Sequence, residues 1–314
     1  MVNVKAINYT GFNYQSIGEE ETKENLYLMQ RKTACNAVII VLGAIQEEAD
    51  SVTVNYKHPV MPKDTDLIDF IKYAKQLGLQ VFLKPVIDCE DGSCRSEIDF
   101  MKDGAFQEES WEQWFQGYSE FILHYARIAE QTNCEMLFIG CRLLRLVGQA
   151  NSWRSLIEQV RSSYQGRITY EANAYFEKEV SFWDSLDVVA TSGNYSKHQF
   201  AKGLKETVEL AEKYKKELFL TECGCMSMKG ASIRPDIWDV EGMLSLQEQV
   251  DFLQVVFENC SRHNGVRGIG IWCWNNRRQS AKSALQDKRY YIYGKPACEY
   301  IRQVWKEEDY KSAM

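Results

Sequence analysis

Eight short apolar runs recur along this chain, and longer stretches between them return an apolar residue every three or four positions. The runs are VKAINY (4–9), AVIIVLGAI (37–45), VFLKPVID (81–88), MLFIGCRL (136–143), RITYEANA (167–174), DVVATSGN (187–194), LFLTECG (218–224) and GIGIWCWN (268–275). DTDLIDFIKYAKQLG (64–78) has an Asp start and a Gly stop, and SLQEQVDFLQVVFENCSRH (245–263) has the same helical period. SWEQWFQGYSEFILHYARIAEQ (110–131) opens with a Ser-x-x-Gln capping box. Strands of buried type that alternate with helices predict a parallel sheet. Eight such units over 314 residues match a (β/α)8 TIM barrel, which typically takes about 250 residues plus insertions. An open doubly wound sheet would carry G-x-G-x-x-G or a P-loop after a strand, and neither occurs here. Residues 1–314 therefore read as one α/β domain, a single (β/α)8 barrel.

Charge and composition exclude several partners. A net charge of −7 and no basic cluster argue against nucleic acid, which needs a cationic surface. No window approaches 18 consecutive apolar residues, so no membrane span is expected. The N-terminus MVNVKAINYT lacks the basic start and apolar core of a signal peptide. Cys35, Cys134, Cys141 and Cys273, four of the ten cysteines, fall in or beside apolar runs, as reduced buried thiols do. A cytoplasmic protein is expected. Cys89, Cys94, Cys141, Cys223 and Cys225 collect near the strand ends, but their spacings are not those of a zinc site. No cofactor and no metal are expected, and the scattered histidines offer no nucleophile–base pair.

The long irregular connections 46–63, 89–109 and 225–244 all follow strands, and in a barrel such loops build the face that carries active sites. Glu222, in LFLTECGC, stands at that face at the end of an apolar strand, where an ionised carboxylate must be paired or hydrogen-bonded. Lys84 and Asp88 are four apart on strand three and share a side; an inward lysine needs a partner, and Asp88 or Glu222 can serve, so the two residues read equally as a structural ion pair and as a substrate anchor. Trp272 and Trp274 also share a side at period two. Trp272 reads as barrel core, whereas Trp274, beside Asn275 at the strand end, reads as a stacking floor for a pyranose ring.

Several blocks resemble glycoside hydrolase family 113, a (β/α)8 family of retaining β-mannanases. They are FLKPVIDCEDGSCRSEI (82–98), WEQWFQGYSEFILHYARIAEQTNCEMLFIG (111–140), FWDSLDVVATSGNY (182–195), FLTECGC (219–225) and YGKPACEYI (293–301). The resemblance implies a strand-seven nucleophile, which is Glu222, and a strand-four Gly-Thr-Glu-Leu motif whose Glu is the acid/base. Here that motif reads Gly-Cys-Arg-Leu, with Arg142 in the acid/base seat. The resemblance further implies that Tyr195 orients the nucleophile and that Asn13, with Tyr14, contacts substrate from the first loop. An arginine stays protonated and cannot shuttle a proton, so its presence forfeits about 10²–10⁴ in rate unless something replaces it.

Three readings follow. In the preferred one the protein is still a glycosidase acting on a β-linked, manno-configured or anionic oligosaccharide or glycoside, with Arg142 binding an anionic or strongly polar group of the ligand rather than shuttling protons. Glu171, in TYEAN, is then the first candidate for a substitute acid and Asp88 the second, unless the leaving group needs none. In another, the site is a transglycosylase or phosphorylase in which Arg142 holds an anionic acceptor. In the last, catalysis is lost and a carbohydrate-binding protein remains. Oligomeric state is not legible in the sequence.

Overall fold

The structure, a computed structural model, describes residues 2–11, 14–238 and 241–313. Eight parallel strands close into a barrel: β1 (Val4–Thr10), β2 (Ala37–Gln46), β3 (Gln80–Cys89), β4 (Met136–Cys141), β5 (Arg167–Ala172), β6 (Val188–Thr191), β7 (Glu217–Cys223) and β8 (Val266–Asn275). Each strand pairs with its sequence neighbours, and β8 closes the ring against β1. All eight expected runs are strands. Helices α1 (Glu20–Thr33), α2 (Asp64–Gln76), α3 (Glu108–Gln131), α4 (Ala150–Ser163), α5 (Phe200–Lys213), α6 (Leu246–Cys260) and α7 (Pro296–Ala313) pack around the outside. No described helix is long and apolar enough to cross a membrane.

Two local expectations are corrected. The capping box at Ser110 is absent, because α3 begins at Glu108 and Ser110 already lies inside its first turn. The fifth unit has no α-helix; short 3-10 turns at Glu177–Glu179 and Trp183–Ser185 carry the chain from β5 to β6.

Alternation along the strands divides the apolar residues into two cores. Ala6, Ile39, Val41, Phe82, Val86, Met136, Phe138 and Phe219 fill the barrel interior, with Phe82 meeting Phe219 edge-on at 5.8 Å. A much larger core joins the outer strand faces to the helices. This two-core pattern follows from strands buried on both faces, which read as continuous apolar runs rather than as alternating ones.

The strand pairing slips at three places toward the barrel mouth. β4 advances from Phe138 to Cys141 while β5 advances only from Thr169 to Glu171. β7 advances from Leu220 to Cys223 against Ile269 to Ile271 of β8. β8 in turn advances from Ile271 to Trp274 against Ile7 to Tyr9 of β1. Each slip inserts one extra residue, a bulge, and a bulge re-aims the side chains beyond it. Gly270 permits the second slip, since a Cβ there would lie 2.5 Å from the Thr221 carbonyl oxygen.

The segment after β4 is pinned from below. Trp153 on α4 is fully buried, stacks on Phe182 at 5.5 Å and donates from Nε1 to the Leu146 carbonyl at 2.9 Å. Trp153→Ala is expected to cost about 3–5 kcal/mol through the cavity it leaves. That is a large fraction of a typical stability on the order of 5–15 kcal/mol. Urea denaturation checks this; a loss below 1 kcal/mol would contradict the packing described.

Candidate active site

At the C-terminal end of the barrel lies a cavity of about 330 Å³, lined among others by Asp88, Arg95, Arg142, Glu222, Trp238 and Trp272. Its floor is an ionic cluster centred on Lys84. Alternation along β3 sends Lys84 inward between Phe82 and Val86, and its side chain is fully buried. The ammonium donates to Glu171 Oε2 at 2.5 Å and to Glu222 Oε1, and it stands 5.5 Å from the centre of the Trp272 ring. Lys84 thus pairs with the two glutamates, while Asp88 pairs with Arg95 at 2.5 Å.

The two glutamates differ in depth and in partners. Glu222 lines the cavity. Burial would raise its carboxyl, but Lys84 and then Arg142 outweigh burial and hold it below the ordinary glutamate range. Glu171 is fully buried and does not line the cavity. Its Oε2 accepts from the Thr221 hydroxyl at 2.6 Å and its Oε1 from the Cys141 thiol at 3.3 Å. Burial, and then the neighbouring Glu222 charge, push its carboxyl up. Lys84 is driven the other way from what burial alone would do, because both carboxylates favour its charged form. A sulfur or oxygen atom of each of Cys141, Glu171 and Glu222 lies within 4.8 Å of the others, but the Lys84 ammonium already bridges the two carboxylates there.

Arg142 follows β4 with φ at 56°, a left-handed conformation that costs a residue with a Cβ roughly 1–2 kcal/mol. Three contacts hold it so. Its N–H donates to the Glu171 carbonyl at 2.9 Å, the next N–H donates to the Tyr170 hydroxyl at 3.0 Å, and Trp153 anchors Leu146. The guanidinium lines the cavity with its side chain 20% exposed, and Nη1 stands 3.7 Å from Glu222 Oε2. Strain held at a cavity wall is the pattern of a functional position.

The structure brings together Lys84, Asp88, Arg142 and Glu222, with Glu171 beneath them, and leaves other expected residues elsewhere. Tyr195 is fully buried; its hydroxyl bonds Glu177 Oε1 at 2.5 Å and Thr207 at 2.7 Å, so it orients a different carboxylate. It packs against α5 at Gly203, where a Cβ would collide with its ring. Trp274 is also buried, donating to Asn25 Oδ1 at 3.1 Å behind the barrel wall, and Trp272 lines the cavity instead. The bulge in β8 reverses that assignment. Asn275 turns back on its own chain, accepting from the Arg277 N–H at 2.9 Å, and is not part of the lining. Asn13 lies outside the described residues. Glu171 is a support for Lys84 and has no direct approach to the cavity.

Sequence reasoning missed Arg95, Trp238 and the cluster Arg289, Tyr290 and Tyr291, all lining residues. They sit on irregular loops where periodicity gives no direction. Trp238, half exposed, packs against Tyr290 at 4.6 Å and edge-on against Trp272 at 6.0 Å. The Tyr290 hydroxyl lies 2.6 Å from the Pro235 carbonyl oxygen, and the buried Lys295 joins Ser227 to the Arg289 carbonyl. The loops after β7 and β8 therefore form one wall. That wall offers aromatic faces above an ionised carboxylate, a suitable surface for a sugar ring whose C–H face is apolar.

Comparison with known proteins gives a consistent result. A model described as Glycoside Hydrolase Family 113 matches residues 10–295. A solved "GH113 beta-1,4-mannanase" is 37% identical, with a TM-score of 0.93 over 98% of this chain and 99% of its own. The GH113 β-mannanase AaManA from Alicyclobacillus acidocaldarius, in complex with ManMIm, is 30% identical, with a TM-score of 0.91 over 98% of each chain. A β-D-glucuronidase from Dictyoglomus thermophilum, at 14% identity and a TM-score of 0.64 over 98% of this chain and 51% of its own, shares the fold. Among curated proteins none matches.

Removing the ammonium tests the cluster. Lys84→Met leaves two buried carboxylates facing each other and is expected to cost about 3–5 kcal/mol at pH 7. Because Glu222 is depressed in the folded protein, its contribution is complete above the ordinary range of about 4.3 and is lost as pH falls through its folded value. Glu171, which is raised, works in the opposite sense. The gap between wild type and variant should therefore shrink toward pH 4, where the variant's carboxyls protonate. Denaturation at pH 4 and pH 7 measures it, and an equal loss at both would contradict the account.

Proposed function

Since this chain belongs to glycoside hydrolase family 113, we propose that residues 1–314 act as one catalytic (β/α)8 domain on β-linked, manno-configured oligosaccharides or glycosides. Glu222 is the nucleophile in this reading. One observation carries it: a carboxylate at the end of β7, open to the cavity, is kept ionised by Lys84 beneath it and Arg142 beside it. Such a carboxylate attacks the anomeric carbon and forms a covalent glycosyl-enzyme, the first half of retaining chemistry. Trp272 and Trp238 supply apolar ring faces for the sugar. Lys84 and Glu171 are positioning residues, holding the carboxylate without touching substrate. A cytoplasmic setting suits short oligosaccharides better than polymers.

The second half is where this chain departs from its family. Arg142 occupies the place of the proton-carrying glutamate, and of the described lining residues only Asp88 and Glu222 bear carboxyls. Asp88 is engaged by Arg95. Substrates with leaving groups that depart unprotonated are therefore favoured over ordinary glycosides. A protein that binds oligosaccharides without cleaving them is the competing reading, and the same departure favours it.

Turnover of 2,4-dinitrophenyl β-mannoside decides between them, because that leaving group needs no proton. Wild type is expected to release dinitrophenolate and Glu222→Gln to release none. After incubation with 2,4-dinitrophenyl 2-deoxy-2-fluoro-β-mannoside, mass spectrometry should find a 2-deoxy-2-fluoro mannosyl group on the peptide carrying Glu222. A wild type that neither turns over nor labels, yet melts higher with mannooligosaccharides, would establish the binding protein. Arg142→Glu should raise hydrolysis of unactivated mannosides by about 10²–10⁴ if a missing acid/base is what limits them.

A further inference from the structure

Among the described residues, the Arg142 guanidinium is the cation of this cavity that hydrogen-bonds no protein group, and that determines what kind of ligand completes the site. The inference rests on Glu222 as nucleophile. Glu222 is held from below by Lys84, Asp88 by Arg95, and Arg289 by Asp287 at 2.9 Å. Arg142 stands 3.7 Å from Glu222, outside hydrogen-bond range, and no described group hydrogen-bonds its guanidinium; its Nε is buried without a partner. A guanidinium offers five donors in a planar fork and stays charged. Leaving them unsatisfied at a partly dry wall is costly unless a ligand brings oxygens. The left-handed backbone at Arg142 holds the fork at that wall, and Arg95, whose Nη1 is 3.5 Å from Cys141 Sγ, lines the same side.

The geometry points to a phosphate-type oxyanion as the leaving group and returning acceptor of this site, gripped by the Arg142 fork. Such a group removes the need for an acid/base. A singly protonated β-glycosyl phosphate brings its own proton, since phosphate monoesters exchange their second proton near pH 6. Glu222 attacks the anomeric carbon, the C1–O bond breaks with its electron pair going to phosphate, and hydrogen phosphate dianion departs. In reverse, that dianion attacks C1, expels Glu222, and regenerates the singly protonated ester with retained configuration. Charge and protons balance at each step without a side-chain donor. Water in the same place would have to lose a proton, and an arginine does not accept one.

The experiment has two arms at constant ionic strength. In the first, dinitrophenolate release from 2,4-dinitrophenyl β-mannoside is followed against inorganic phosphate, with acetate and azide in parallel, and products are read by phosphorus NMR. Saturable acceleration by phosphate with β-mannosyl phosphate as product is expected. Acceleration by acetate or azide but not by phosphate would overturn the assignment. In the second, phosphate binding to unliganded wild type, Arg142→Ala and Arg142→Lys is measured by calorimetry. Loss of about ten- to hundredfold in affinity is expected for Arg142→Ala, and a smaller loss for Arg142→Lys, which keeps the charge without the fork. Both variants are first checked by their melting curves. Absent phosphate binding, or binding unchanged in both variants, would overturn the proposal. If no nucleophile turns over the mannoside, the Glu222 reading fails by itself, and the calorimetric arm still decides for or against the oxyanion site.

Discussion

The Lys84 ammonium sits in the centre of the barrel with a carboxylate on each side, and much else in the site follows from that placement. A fully buried lysine is tolerated only when its charge is compensated and its protons are bonded. Here Glu171 and Glu222 provide both. The compensation is unequal, because Glu171 also accepts from Thr221 and Cys141 in a closed pocket, whereas Glu222 faces the cavity with Arg142 opposite it. One carboxylate becomes a buried support and the other an ionised, accessible group. The asymmetry arises from depth in the barrel, since both are the same residue type on the same lysine.

Positions at the mouth depend on the three strand slips. A strand that alternated strictly would carry Thr221 into the barrel and turn Glu222 out toward the helices. The extra residue in β7 relative to β8 lets Thr221 bond Glu171 while Glu222 bonds Lys84. The slip between β4 and β5 precedes Arg142, and the slip between β8 and β1 separates Trp272 from Trp274. Bulges at barrel rims are a common means of aiming functional side chains.

These slips also mark the boundary of what the sequence made legible. All eight strands, their parallel order and the closure of the barrel were readable, because doubly buried strands and amphipathic helices leave distinct periodic patterns. Glu222, Lys84 and Arg142 were readable as candidates because charged groups within or at the ends of apolar strands need a reason, and the structure gathers the three around one carboxylate. Trp272 and Trp274 were exchanged, because period-two reasoning has no knowledge of a bulge between them. Tyr195 was carried over from a resemblance, and packing against Gly203 takes it to Glu177 instead. Arg95, Trp238 and the Arg289–Tyr291 segment lie on loops, where direction comes from tertiary contacts such as the Tyr290 hydroxyl at Pro235. No local pattern encodes those.

The central claim is that Lys84 and Arg142 keep the Glu222 carboxylate charged in a buried setting. Carbon-13 NMR of protein labelled at the glutamate side-chain carboxyl tests it most directly, with Glu222→Gln identifying the resonance by its loss. The account predicts that this resonance remains that of a carboxylate down through the ordinary glutamate range of about 4.3, while the Glu171 signal titrates above that range. A Glu222 carboxyl that takes up its proton above the range, as burial alone would dictate, would contradict it.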